Sequence, residues 1–135
     1  MMVSVIGEWC NLGADTNNSN LKNNYGLVKV WSYEQKKMVN TGRQFCGLFM
    51  GDYSKSGINT MFNTGTVAGV SANIFGGDFP PKFIPSFSWG GAKGFEKFDL
   101  SKAIEAAAAM HARRNLELTA ADKSILAAVY AMPDC

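Results

Sequence analysis

The residues with the greatest capacity for chemistry gather between positions 22 and 43. That stretch holds Lys22, Lys29, Lys36, Lys37 and Arg43 against Glu34 alone, a balance of +4 in a chain whose formal net charge is +2. Within it, Asn23-Asn24-Tyr25-Gly26 is followed by Lys29. An ammonium group serves a phosphate as a point charge, while Asn and Tyr add directional hydrogen bonds. Two readings stand for the basic stretch: phosphate contacts across a subunit boundary, or a solvated hairpin whose lysines keep an exposed edge from pairing. The Asn-Tyr-Gly loop likewise reads either as a binding loop or as a polar turn. A base for proton transfer is harder to find. The one histidine, His111, lies beside Arg113 and Arg114 in a stretch read as helix, where a lone His is a surface or packing residue. Cys10, Cys46 and Cys135 are odd in number, scattered and without metal-ligand spacing, which points to a reduced, cytoplasmic protein with no metal site.

These residues interrupt a repeat. Hexads starting at Ile6, Leu12, Met50, Ser56, Phe62 and Ala68 carry Gly7, Gly13, Gly51, Gly57, Asn63 and Gly69 at position two. Position five reads Cys10, Thr16, Ser54, Thr60, Thr66 and Ala72. Glycine is roughly 7% of average composition, so this recurrence has a chance on the order of 10⁻⁵. A hexapeptide period marks a parallel β-helix, three hexads to a coil, in which short strands turn corners into one another. Position one then points inward, position two takes Gly or Asn because a corner needs positive φ, and position five faces a crowded interior. On this reading the repeat core is structural, and function belongs to the surface, to subunit boundaries or to the insert.

Between Leu12 and Met50 the frame slips by two, as an inserted loop would cause. Leu27 to Met38-Val39 reads as a β-hairpin or extended arm, within an insert spanning 22–43. Gly76-Gly77 and Pro80-Pro81 should end the repeats, since proline cannot donate in a ladder. From Phe95 the composition turns helical. Asp99 or Ser101 caps a helix to about Arg114, and Thr119 with Asp122 has capping-box spacing for a second helix stopped by Pro133. We therefore expect a β-helix over 1–92 and a two-helix tail over 93–135, packed on an apolar side or the lower end of the solenoid. Ser4 would be the fifth position of a hexad that starts before Met1, so the chain reads as the C-terminal piece of a longer protein.

The chain of 135 residues is 47% hydrophobic and 18% charged, a globular composition with room for a core. No apolar run approaches the length of a membrane span, and the start lacks the basic and apolar regions of a signal peptide. Basic charge near Trp31 and Tyr33 is too slight to indicate nucleic acid.

The run from Gly51 to Gly77 resembles the left-handed β-helix of hexapeptide-repeat acyltransferases, most closely the C-terminal domain of bacterial sugar-phosphate nucleotidyltransferases such as N-acetylglucosamine-1-phosphate uridylyltransferase. The left hand comes from this resemblance alone and opposes the usual crossover rule. The resemblance covers about residues 3–78 and implies a homotrimer that transfers acetyl from acetyl-CoA to an amino-sugar phosphate, with sites between neighbouring subunits. The family's Asn-Ile-Gly-Ala-Gly-Thr stretch, Cys-Asn-Tyr-Asp-Gly loop and following lysine are similar to Asn11-Leu12-Gly13-Ala14-Asp15-Thr16, Asn23-Asn24-Tyr25-Gly26 and Lys29. By resemblance, Asn11, Asn24, Tyr25 and Lys29 surround the sugar phosphate and acetyl group, with Ala14 near the cofactor. The chain also departs from the family. The family's general base, a histidine upstream of the Asn-Ile-Gly-Ala stretch, has no counterpart here. The loop is one residue shorter and lacks the Asp, and a serine used near the cofactor falls on Ile58. The segment alone is therefore expected to be inactive, or to serve as a non-catalytic trimerisation scaffold for an N-terminal nucleotidyltransferase domain.

Overall fold

A computed structural model describes residues 3–133; Met1 and Cys135 lie outside them. The chain is mostly short strands in parallel sheets, followed by two helices. Strands β1 (Val5–Ile6), β2 (Asn11–Leu12) and β3 (Asn17–Asn18) each open a different sheet. Strands β4 (Lys29–Ser32) and β5 (Lys37–Asn40) form an antiparallel hairpin. The chain then revisits the three sheets in the same order with β6 (Phe49–Met50), β7 (Lys55–Ser56) and β8 (Met61–Phe62). A third circuit follows with β9 (Val67–Ala68) and β10 (Asn73–Ile74), and a fourth with β11 (Phe83–Ile84) and β12 (Ser88–Gly91). Phe49 pairs with Val67 and Lys55 with Asn73, each 18 residues on, so one circuit is three hexads.

The expected end of the repeat at the glycines and prolines is corrected by the structure. Val67 pairs with Phe83 and Asn73 with Trp89, 16 residues on, so two sheets continue beyond Pro80-Pro81. Only the third sheet stops, at two strands, because the Gly76–Pro81 stretch takes the corner where its next strand would lie and prolines there supply no donors. The helical composition at Phe95 also begins too early. Phe95 sits in β13 (Gly94–Lys97), which pairs antiparallel with β12.

Position one behaves as the pattern implies once a circuit is covered on both sides. Met50, Ser56, Phe62, Ala68 and Ile74 are at most 5% exposed, whereas Ile6 in the first circuit is 38% exposed. Position five is buried from the second circuit onward. Its hydroxyls find carbonyls inside: Thr60 Oγ1 donates to Gly57 O at 2.8 Å, Thr66 Oγ1 to Asn63 O at 2.8 Å, and Ser54 Oγ to Gly69 O at 2.6 Å. A small residue with one hydroxyl satisfies both the space and the corner backbone.

The expected reason for glycine at position two is corrected as well. Gly7, Gly13, Gly51, Gly57 and Gly69 are not among the positive-φ residues; left-handed φ falls two residues later, at Trp9, Asp15, Tyr53, Asn59, Gly65, Ser71 and Phe87. Glycine is needed at position two because the next circuit lies against it. A Cβ on Gly13 would sit 2.5 Å from the carbonyl carbon of Gly57, and one on Gly51 would sit 2.7 Å from that of Gly69.

The hairpin folds back over the first sheet. Trp31 stacks on Phe83 with centroids 4.2 Å apart, and Tyr33 meets the same ring edge-on. Helices α1 (Leu100–Ala112) and α2 (Ala120–Ala131) cover the corner between the first and second sheets. Asp99 caps α1 and a full Thr119–Asp122 capping box starts α2; α1 ends at Ala112, with Arg113 as its cap. Buried Ala103, Ala107 and Leu126 pack on Phe87, joined by Tyr53 and Val70.

Candidate functional site

A polar pocket of about 490 Å³ opens where the arm leaves the strands. Ser19 lies just past β3, and Leu21 bridges Phe45 to close the base of the insert. Lys22 to Tyr25 then make a turn, with Tyr25 N donating to Lys22 O at 2.9 Å and Tyr25 at φ 58°. Asn24 Oδ1 accepts from Gly26 N at 2.9 Å, which fixes the loop. Asn63 and Thr64 come from the corner after β8, and Phe79 and Lys82 from the Pro80-Pro81 stretch. Lys82 Nζ donates to Lys29 O at 2.7 Å, tying that stretch to the start of the arm.

Lys22 and Lys82 both line the pocket, and no carboxylate or histidine does. Burial pushes the Lys82 ammonium below its ordinary value, and the neighbouring positive charges of Lys22 and Lys29 push the same way. Such an array attracts an anion, which favours the charged state of Lys82. It offers phosphate binding and hydroxyl recognition but no residue suited to take a proton at neutral pH.

Of the residues the sequence singles out as site residues, the structure places one in the pocket lining and two beside it. Asn24 lines the pocket, Tyr25 follows it and is 68% exposed, and Lys29 contributes its carbonyl and its charge beside Lys82. Asn11 lies on β2 beside Lys55 at the edge of the second sheet, and Ala14 in the turn after it accepts from Asn59 N at 2.8 Å. Neither lines the pocket. Ser19, Asn63, Thr64 and Lys82 were not legible as site residues. Lys22 was visible only as part of the basic stretch. His111 is a packing residue in the strict sense: it is 6% exposed, stacked on Trp9 at 4.1 Å.

No protein-family model matches the chain, and no curated protein matches it. No helix among the described residues is long and apolar enough to cross a membrane.

Proposed function

We propose that the chain is a left-handed parallel β-helix domain of the sugar-phosphate nucleotidyltransferase type, and that the pocket at the root of the arm receives the phosphate of an amino-sugar phosphate. The observation that carries this reading is the convergence of Lys22 and Lys82 with Asn24 in one polar pocket of about 490 Å³. The 18-residue circuit over three parallel sheets supports the β-helix. In this role the two ammonium groups hold the phosphate, and Asn24, Ser19 and Thr64 offer hydrogen bonds to sugar hydroxyls. Homotrimer formation is supported by a shallow, almost wholly apolar groove of about 410 Å³ on the first sheet, between Tyr33 of the arm and Val129 and Met132 near the end of α2.

Acetyl-CoA, the acyl donor that the resemblance implies, would supply the activated acetyl group. The positions assigned to it fit poorly within one copy: Ala14 is exposed and outside the pocket, and Ile58 is 69% exposed with no polar group. No acyl-transfer step is therefore drawn through it. The absence of a histidine or carboxylate from the lining favours a second reading, a trimerisation scaffold that binds ligand without turning it over.

Titration with glucosamine 1-phosphate, followed by ¹H–¹⁵N NMR, tests the site. The Asn24 and Gly26 signals should move and saturate, and Lys82→Gln should weaken binding about tenfold, as expected for one charge-assisted phosphate contact. Unmoved signals at millimolar ligand would overturn the sugar-phosphate reading. Coenzyme A distinguishes the two roles: shifts at Tyr25 or Lys29 support acyl transfer, and their absence supports the scaffold. A protomer that stays monomeric in sedimentation at high concentration counts against both.

A further inference from the structure

One side chain in the lining of the lysine pocket has no part in holding a phosphate. Phe79 borders the same polar space as Lys22, Lys82, Asn24 and Thr64, and it is 49% exposed. A lone apolar side chain on an open surface needs no account. Phe79 stands instead in a concave site, and its ring meets no other aromatic ring among the described residues.

Its backbone is held on both sides. Phe75 N donates to Gly90 O at 2.9 Å, which anchors the chain before the corner. Gly76 then turns at φ 101° and Asp78 at φ 73°, in the region that glycine and aspartate enter with least strain. Asp78 Oδ1 accepts from Phe79 N at 2.8 Å. Pro80 follows and is buried; its ring fixes its own φ and steers Phe79 towards extended backbone. Beyond it, Lys82 O accepts from Val67 N at 2.7 Å, and Lys82 Nζ donates to Lys29 O at 2.7 Å. The corner that ends the third sheet therefore brings an aromatic ring and an ammonium group to one pocket on a fixed backbone.

We propose that Phe79 is the specificity-determining residue of this pocket: its ring face receives the apolar face of a pyranose whose phosphate lies against Lys22 and Lys82. The proposal rests on the phosphate reading of the site and adds the class of ligand it selects, a cyclic sugar phosphate over a ringless phosphate ester of equal charge. A pyranose carries its hydroxyls around the rim and patches of C–H groups on its faces. Those hydrogens are slightly positive, and the face of an aromatic ring is negative. With the ring so stacked, the rim hydroxyls remain available to Asn24, Ser19 and Thr64. A platform whose backbone is already fixed costs little ordering when the ligand arrives. An open-chain ester keeps the phosphate contacts but offers Phe79 no rigid face to cover.

The whole chain, ¹⁵N-labelled, is titrated with glucose 1-phosphate and with glycerol phosphate, two esters of equal charge, at one pH and ionic strength. Each Kd is read from the Asn24 and Gly26 amide signals. The unaltered protein should bind the sugar phosphate about fivefold more tightly, as expected for one aromatic contact. In Phe79→Ala that ratio should fall to about one, whereas Phe79→Tyr, which keeps the ring face, should preserve it. A purely structural role would weaken both ligands together and leave the ratio standing in Phe79→Ala, and that result would overturn the proposal. Equal affinity of the unaltered protein for the two esters would overturn it too, with the phosphate reading intact because both still bind. If neither ester shifts Asn24 up to about 50 mM, well above a weak millimolar Kd, the phosphate reading itself fails and this proposal falls with it.

Discussion

Replacing Gly51 with alanine tests the claim that position two is glycine for lack of room between circuits. A Cβ there would lie 2.7 Å from both the carbonyl carbon and oxygen of Gly69, and 3.0 Å from Val70 N. All three are backbone atoms, so no side chain can swing away. The circuits are pinned by Gly51 N donating to Ala68 O at 2.9 Å and Gly69 N to Ile84 O at 2.9 Å. Restoring ordinary contact requires a separation of about 0.7 Å, which takes such bonds past hydrogen-bonding range. A lost buried backbone bond costs about 1–3 kcal/mol and overpacking about 1–3 kcal/mol. The stiffer unfolded chain of the alanine variant returns about 0.4–1 kcal/mol. The net is about 1–5 kcal/mol, or a Tm lower by about 4–18 °C for a chain of this size. Gly57→Ala is tight only against Phe75 Cβ, at 3.1 Å, its other neighbours lying at ordinary contact distance, and should cost about 0–1 kcal/mol. Gly77→Ala meets nothing within 4 Å, has no left-handed φ, and should be neutral or gain about 0.5 kcal/mol. Urea and thermal unfolding followed by circular dichroism, at one protein concentration, give the ranking. If Gly51→Ala melts within about 2 °C of Gly77→Ala, the close-approach argument is wrong.

Tyr53→Phe leaves His111 Nε2 unpaired in a site where the ring is 6% exposed, and should cost about 1–3 kcal/mol in urea unfolding; a change within error would mean the bond to Tyr53 contributes nothing. Thr119→Ala removes the acceptor for Asp122 N and should cost about 1 kcal/mol, visible as reduced helical signal at 222 nm near the midpoint. Hydrogen bonds from Ser101 and Thr119 respectively hold the Asp99 and Asp122 carboxyls below their ordinary value of 3.8. Depressed folded-state values contribute stability above the unfolded pKa, so this contribution should be intact at pH 5 and fall away below about 3.8; a Tm flat down to pH 2 would contradict it. Deleting residues 95–135 strips β13 and both helices from Phe87, Tyr53 and Val70, and should give aggregation in light scattering, whereas a well-behaved truncated species would refute the covering role of the tail.

The architecture was legible where one physical constraint repeats. An inward side chain, a close approach and a small buried hydroxyl recur every six residues, and three such units close one circuit. The arm announced itself as a frame slip of two because Val5 pairs with Phe49, 44 residues on, where uninterrupted circuits would keep a multiple of six. Pro80-Pro81 misled because proline removes donors only where it sits. It silences the next strand of the third sheet, while Phe83 and Trp89 pair as though nothing had happened. That same shortened circuit accounts for the missed half of the candidate site. Lys22, Asn24 and Lys29 stand in one basic stretch and could be read together. Lys82 reaches them only because the circuit from Val67 is two residues short, which sets its ammonium against the carbonyl of Lys29. No local pattern encodes that meeting.

The left-handed positions carry a different kind of information. A non-glycine residue there is strained by about 1–2 kcal/mol, least for Asn and Asp, whose short polar side chains bond locally. At the corner between the second and third sheets the occupants are Asp15 and Asn59, as that rule favours. At the corner between the first and second sheets they are Trp9, Tyr53, Ser71 and Phe87, in register down the stack. Three aromatic rings at positions that disfavour them need a compensating interaction, and it comes from the tail. Phe87 packs with Ala103, Ala107 and Leu126, Tyr53 bonds His111, and Trp9 stacks on it. Helix packing thus holds strained backbone in place, and the strained backbone sets Trp9 and Tyr53 against His111. An aromatic residue where the repeat prefers Asn or Gly is therefore a sequence mark of the corner that a helix covers.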